Sequence, residues 1–284
     1  MTKYQKTGCG FDLPFVLLLT STLCVFNPAI FIISIQSRGS PMMNDTVYRL
    51  VVSLMDLFLW GGELVGEENL PEEGPAVFVA NHMGSRGPIG VFCSLPMRLY
   101  PWTKLETIDK DLAPRQVRMD LVERDMKIGP PLSEWIARAI CMISVPFLHS
   151  LGCIPVYRTR RELESTFRQS LDLLQQGKFV VVTPEDPDAE PDPATGLRPF
   201  KKGFLMLGEL YARETGKNLQ FYPLTVHEAG RVFVGQPVTY NPLNDAKSER
   251  YRLINLLEGT IRATHTETTA NNAMTPAFSK KTTI

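Results

Sequence analysis

The sequence predicts an α/β domain with a mostly parallel central sheet flanked by helices. Three observations predict it. Short unbroken apolar runs, Ala76-Val77-Phe78-Val79-Ala80 and Phe179-Val180-Val181-Val182, have the pattern of strands buried on both faces. Between such runs lie segments whose apolar residues recur at helical spacing, such as Leu163, Phe167, Leu171 and Leu174. Polar groups gather just past the runs, as Asn81-His82, Arg158 and Pro184-Glu185. In open α/β sheets, the carboxyl ends of the strands are where ligands bind.

The elements follow in order. From Leu13 to Ser37 there is no charged residue, a run long enough to cross a bilayer. A membrane helix, a hairpin or interfacial pair broken at Asn27-Pro28, and a signal peptide all compete for it. Lys3 and Lys6 resemble a basic leader, but no small-x-small cleavage site follows. The expectation is therefore retained membrane-associated helices over residues 1–45. Val47, Leu50, Val51, Leu54, Leu57 and Phe58 mark a helix within 47–65, either core-packing or on a membrane surface. Arg98 to Lys104 is a weaker strand, 105–133 a charged helical insertion or lid, and Trp135 to His149 a buried or membrane-facing helix. Ile154 to Tyr157 is a strand, and Arg160 to Gln176 a helix ended by Gly177. Phe200 to Arg213 reads as helix, and 221–226 and 232–234 as strands. Leu253, Ile254, Leu257 and Ile261 mark a last amphipathic helix, with a disordered Thr/Asn-rich tail from about Thr264. The α/β domain is thus expected over 46–242, and the helix and tail over 243–284.

Composition narrows the function. Thirty basic residues balance thirty acidic ones, so no basic surface for nucleic acid is indicated. The five cysteines are scattered and odd in number, without a CxxC pair. That argues against a disulfide framework and a zinc site, and fits a reducing compartment. Ser85 and Cys153 have no readable base and orienting group beside them, so a covalent mechanism is not indicated. His149, His227 and His265 read as structural or surface residues.

One resemblance is specific. Residues 67–82, ending in AlaValPheValAlaAsnHis, resemble the entry to the first motif of the glycerolipid acyltransferases, the lysophosphatidic-acid acyltransferase-like family. That motif is Asn-His, four residues, then Asp. GlyCysIleProValTyrArg (152–158) is similar to the second motif, and ThrProGluAsp (183–186) matches part of the third, Phe-Pro-Glu-Gly-Thr-Arg. PheLysLysGlyPhe (200–204) resembles the segment after it, and PheTyrProLeu (221–224) the fourth motif, a strand ending in proline.

The resemblance implies a membrane-associated enzyme, its site at the cytoplasmic face, moving a fatty acyl group from a thioester to a lipid or glycerol-type hydroxyl. The donor would be acyl-CoA or acyl carrier protein, as co-substrate rather than cofactor, and no metal is implied. His82 would be the general base, suited by an imidazole pKa near working pH. Arg158 would hold an acceptor phosphate, and Glu185 the acceptor's polar head. Pro184 and Pro223 would shape the pocket, and Lys201 would add charge beside it. The runner-up is a weakly active or non-catalytic relative that binds acyl-CoA or lipid.

Two departures bear on this. Gly87 stands where the family's orienting Asp is. Asp186 or Asp188 would have to serve instead, or a backbone carbonyl. Asp186-Pro187-Asp188 also replaces Gly-Thr-Arg, which removes an arginine and adds negative charge. A lysophosphatidic-acid acceptor is then less secure, and a neutral, zwitterionic or amine-bearing acceptor becomes more plausible, with Lys201 and Lys202 able to compensate in part.

Overall fold

The computed structural model describes residues 42–84, 86–124, 126–157 and 159–274. The N-terminal apolar run and Arg158 therefore lie outside the described residues. The chain divides into two compact units, one from 45–102 with 159–274, the other from 42–44 with 103–157.

The elements run α1 (Asp45–Met55), β1 (Glu63–Val65), β2 (Ala76–Ala80), α2 (Arg86–Ser94) and β3 (Leu99–Lys104). Then come α3 (Leu105–Ile108), α4 (Ala113–Val117), α5 (Leu132–Leu151) and β4 (Ile154–Val156). The chain continues through α6 (Arg160–Gln175), β5 (Phe179–Val182), α7 (Met206–Thr215), β6 (Gln220–His227), β7 (Arg231–Val234), β8 (Val238–Thr239) and α8 (Ala246–Met274).

In the larger unit the strand order is β1-β7-β6-β2-β5-β3, with β8 also paired to β6. The β1–β7, β6–β2, β2–β5 and β5–β3 pairs are parallel. Only the excursions of β7 and β8 along β6 are antiparallel. The sheet is mostly parallel, as the unbroken apolar runs predict. β2 lies between β5 and β6, and all five of its residues are buried, as expected of a strand covered on both faces of the sheet. Phe78 packs its ring 5.9 Å from Phe179 and 5.4 Å from Tyr222, tying the three central strands together.

The entries to β2 and β5 cross at two glycines. A Cβ on Gly74 would lie 2.1 Å from the Gly177 carbonyl oxygen, and Gly177 itself has φ 72°. Only glycine permits both the contact and the left-handed turn. That closeness fixes the parallel register, Ala76 opposite Phe179 and Val79 opposite Val182.

Helices cover the sheet as their spacing predicts. Phe167, Leu171 and Leu174 of α6 are buried, and so are Leu253, Ile254, Leu257 and Ile261 of α8. Full burial of each such side chain is worth about 1.5–3 kcal/mol. In the smaller unit α5 buries Ser133, Ala137, Cys141 and Val145, one per turn. Cys141 and Val145 pack with Ala113 and Val117 of α4.

Three sequence expectations are corrected. The 47–65 segment is not one helix: α1 runs into a π-turn at Asp56–Trp60, and 63–65 is strand β1. Its apolar stripe faces outward: Val47, Leu50, Leu57 and Phe58 are exposed, while Tyr48 is buried and its hydroxyl accepts the Leu99 N–H at 3.2 Å. The core took the residue that could also satisfy a backbone donor. The 200–213 helix begins later, because Phe200 pairs with Glu185 in an isolated bridge before a 3-10 turn and α7.

The third correction is the tail. α8 continues past Thr264 to Met274. The threonine hydroxyls that favour turns in isolation here donate back to the helix, Thr266 to Arg262 O, Thr268 to Thr264 O and Thr269 to His265 O. Thr268 is buried and Thr269 meets His227, so packing holds a sequence of poor helix propensity. Among the described residues no helix is long and apolar enough to cross a membrane.

Candidate active site

The register of the central strands builds the site. Val79 of β2 lies opposite Val182 of β5. Three residues further on, His82 and Glu185 stand level with each other at the carboxyl edge of the sheet. Glu185 Oε1 accepts the His82 backbone N–H at 2.6 Å, and Oε2 accepts the Arg198 N–H at 3.1 Å. The carboxylate is thus a clamp joining the turn after β2 to the loop after β5. The residue before His82 holds the turn from the other side. Asn81 Nδ2 donates to Val226 O at 3.0 Å, and its Oδ1 accepts the Val226 N–H at 2.7 Å. This buried amide extends the β2–β6 pairing where the backbone turns away, and leaves His82 exposed above it.

The loop after β5 is self-supporting. Asp186 Oδ1 pairs with Lys201 Nζ at 2.9 Å and accepts the Asp188 N–H at 3.0 Å. The hydrogen bond from Lys201 holds the Asp186 carboxyl below its ordinary range. Pro184 O accepts the Lys201 N–H at 2.8 Å, and the Arg198 guanidinium donates to Pro187 O and Ala189 O. Lys202 lies 3.7 Å over the Tyr251 ring, a cation–π contact with α8. Arg262 of α8 reaches Glu258, Asp192, Thr195 and Leu197 O, pinning the loop's far end.

The sequence-predicted residues therefore separate. His82, Glu185, Pro184 and Lys201 come together at the edge of β2 and β5. Pro223 is opposite Val79, three strand positions short of the His82 level, buried in a strand that runs on to His227. A Cβ on Gly235 would meet the Pro223 ring at 2.8 Å, so a glycine makes room for it. Arg158 lies outside the described residues. Asp186 Oδ1 is engaged by Lys201 and the Asp188 N–H, and Asp188 is exposed.

Gly87, in the first turn of α2, is buried and near the histidine backbone. A Cβ built there would sit 3.4 Å from Met83 Cβ, 3.5 Å from Asn81 O and 3.7 Å from His82 C, which is ordinary contact. The position can carry a Cβ without displacement. Behind it Gly90 lies under the Trp60 ring, whose Nε1 donates to Ser94 Oγ at 3.0 Å, and this fixes α2.

Two histidines read as structural lie nearby. His227 ends β6, the neighbour of β2. The Ala229 N–H donates to its Nδ1 at 3.1 Å, and its Nε2 is 3.0 Å from Thr269 Oγ1, which itself donates to His265 O. The network assigns a neutral ring with the proton on Nε2. His265 lies 5.0 Å away, its Nδ1 buried without a hydrogen-bond partner among the described residues. Burial lowers the pKa of both rings. The charges of Glu228 and, less strongly, Glu185 act on His265 in the opposite sense. The signal for His227 was the one that singled out His82, a polar residue just past a buried run. His149 instead meets Ile108 O at 2.8 Å and is structural.

The thiols are poorly suited to nucleophilic attack. Burial pushes Cys93 up to about 12 and Cys153 up to about 11, so both stay protonated near neutral pH. Among the described residues no group of three His, Cys, Asp or Glu could hold a metal ion.

No protein-family model and no curated protein matches the sequence. The fold is similar to the crystal structure of the 1-acyl-sn-glycerophosphate (LPA) acyltransferase PlsC from Thermotoga maritima, with TM-score 0.50 and 16% identity over 90% of this chain and 93% of that one. At that identity the likeness shows a shared α/β fold.

Proposed function

We propose that this chain is an acyltransferase that moves a fatty acyl group from a thioester to a lipid hydroxyl, with His82 as general base. The observation that carries the reading is the placement of His82: exposed at the carboxyl edge of the central parallel strands, its backbone clamped by Glu185 and its turn anchored by Asn81. Similarity of fold to a lysophosphatidic-acid acyltransferase supports the reaction class.

The step balances simply. The acceptor hydroxyl oxygen attacks the thioester carbonyl carbon while His82 takes the hydroxyl proton. The C–O bond forms, the C–S bond breaks, and the proton goes from the imidazolium to the departing thiolate. Imidazole can do both because its pKa lies near neutrality. Acyl-CoA or acyl carrier protein supplies the thioester. Arg158 and Lys201 remain the proposed cations for the acceptor, with Lys201 shared with Asp186. Glu185 is assigned a positioning role, since each carboxylate oxygen already accepts a backbone N–H. Pro184 shapes the loop and Pro223 the sheet behind it. The exposed apolar stripe of α1 and the uncharged run 13–37 support a membrane-associated site, and its assignment to the cytoplasmic face rests on the family resemblance alone.

A second reading has its own observation. Gly87 supplies no carboxylate to orient His82. A non-catalytic relative that binds acyl-CoA or lipid would share this geometry. Acyl transfer from radiolabelled acyl-CoA to a panel of lipid hydroxyls separates the two. Activity that His82→Ala reduces by on the order of 10²- to 10⁴-fold, with the fold intact, fits the enzyme. Undetectable turnover by both proteins, with acyl-CoA still bound, fits the binding module.

A further inference from the structure

The helix α5 is amphipathic in an inverted sense. Its buried side uses small or medium residues, Ser133, Ala137, Cys141 and Val145. Its opposite side carries large apolar ones: Leu132 is 57% exposed, Trp135 70% and Met142 79%. At 3.6 residues per turn these three, with exposed Ala139 between them, fall on one face. Leu112 and Met119, in the preceding helical stretch of the same unit, are exposed as well. A surface helix ordinarily turns its apolar stripe to the core, and a cluster of exposed large apolar residues marks a contact surface.

Beside this face the same unit opens a cavity of about 440 Å³ lined by Lys110, Arg115, Arg118 and Arg138 against only Asp111 and Glu134. Arg118 is held by Glu134 at 2.8 Å, so the remainder is an excess of positive charge. Apolar bulk with tryptophan, bordered by lysine and arginine, is the composition of a helix lying in a bilayer interface. α5 also carries Glu134 and Arg138 and is not apolar enough to span.

The chain's route supplies the last point. The Met43 N–H donates to Ser150 O at 2.9 Å, in the last turn of α5. The uncharged run that the sequence offers to a membrane ends at Ser37, a few residues upstream. The uncharged run is therefore only a short stretch of chain away from the C-terminal turn of α5.

We propose that the Leu132–Trp135–Met142 face of α5 rests in the headgroup layer of an anionic bilayer, with Lys110, Arg115 and Arg138 against lipid phosphates. The inference rests on the reading that the chain acts at a membrane. It adds a second contact besides residues 13–37.

The test uses the full chain with Trp60→Phe and Trp102→Phe, leaving Trp135 as sole tryptophan. It is mixed with phosphatidylcholine vesicles, with or without phosphatidylglycerol, whose acyl chains carry bromine at shallow or deep positions. Expected are a blue shift of Trp135 emission and loss of most of it to shallow bromines, larger with phosphatidylglycerol. Cosedimentation with unquenched Trp135 overturns the proposal, and shows the face covered by the chain's own N-terminal run or left in water. So does failure to bind vesicles. Equal quenching with and without phosphatidylglycerol overturns the part given to the cations. Because the readout needs no turnover, a missing acyl-transfer activity would leave this result standing, and the reverse.

Discussion

Two histidines end neighbouring parallel strands, and their surroundings set them apart. His82, after β2, is exposed and held through its backbone, by Glu185 directly and by the Asn81 amide one residue back. His227, at the end of β6, is 6% exposed and held through its ring, with Nδ1 and Nε2 each in a hydrogen bond. A general base needs an accessible ring and a fixed position. His82 has the fixed position because the protein grips the peptide around the side chain. His227 has rigidity at the expense of access, which suits a structural role. The same strand-end pattern therefore carries two different outcomes.

The comparison can be sharpened most at Gly87. The space around it accepts a Cβ at ordinary contact distances, and it lies in the first turn of α2, where a carboxylate is favourable. Gly87→Asp is expected to raise acyl transfer by up to on the order of 10²- to 10⁴-fold, the scale of a well-oriented base. Initial rates from acyl-CoA check this. An unchanged rate would mean that another group already orients His82.

Breaking the grip on His82 comes next. Glu185→Ala removes acceptors from both the His82 and Arg198 N–H groups. A loss of about 1–3 kcal/mol in stability is expected, the scale for charge-assisted hydrogen bonds. Turnover should fall with little change in KM if the residue only positions His82. A rise in KM for the acceptor alone would instead restore the role that the family resemblance gives Glu185.

Breaking the other histidine should act on the fold. His227→Ala strands the Ala229 N–H and removes a ring contact with His265, so a cost of about 1–3 kcal/mol is expected in urea unfolding. Turnover per folded molecule should stay within a few-fold of wild type.

The smallest effect is on pH. Burial lowers the pKa of His227 and His265 below the ordinary 6.5. Above 6.5 neither state is protonated there, and stability is flat. As pH falls below 6.5 the unfolded chain takes up protons that the buried rings refuse, so stability declines. A separate decline belongs to Glu249, held down to about 2 chiefly by Arg252. It starts only as pH drops below the ordinary 4.5. Unfolding midpoints between about pH 8 and about pH 3 should show the two windows in turn, and His227→Ala should shrink the first.

Much of this fold was legible in the sequence because its signals are local. Unbroken apolar runs gave β2 and β5, and helical spacing gave the buried faces of α6 and α8. Where two local signals conflicted, packing decided. The α1 stripe fits either a core face or a membrane-surface face; Val47, Leu50, Leu57 and Phe58 of the segment are exposed, while Tyr48 is buried with its hydroxyl accepting the Leu99 N–H. The threonines after Thr264 look like a breaking helix, but their hydroxyls found carbonyls one turn back.

The sequence by itself determined the class of sheet and the level of the candidate base. Apolar run length fixes which strands are buried, and a polar residue after such a run must leave the core at the strand's end. Only the tertiary structure decided what surrounds that base. The equal three-residue step from Val79 to His82 and from Val182 to Glu185 becomes a hydrogen bond only because β2 and β5 pair in that register. Gly87 comes to lie against the histidine backbone with room for a Cβ, and Asp186 becomes a partner of Lys201, because the chain folds them together there. Such meetings depend on register and loop closure, which no local pattern specifies.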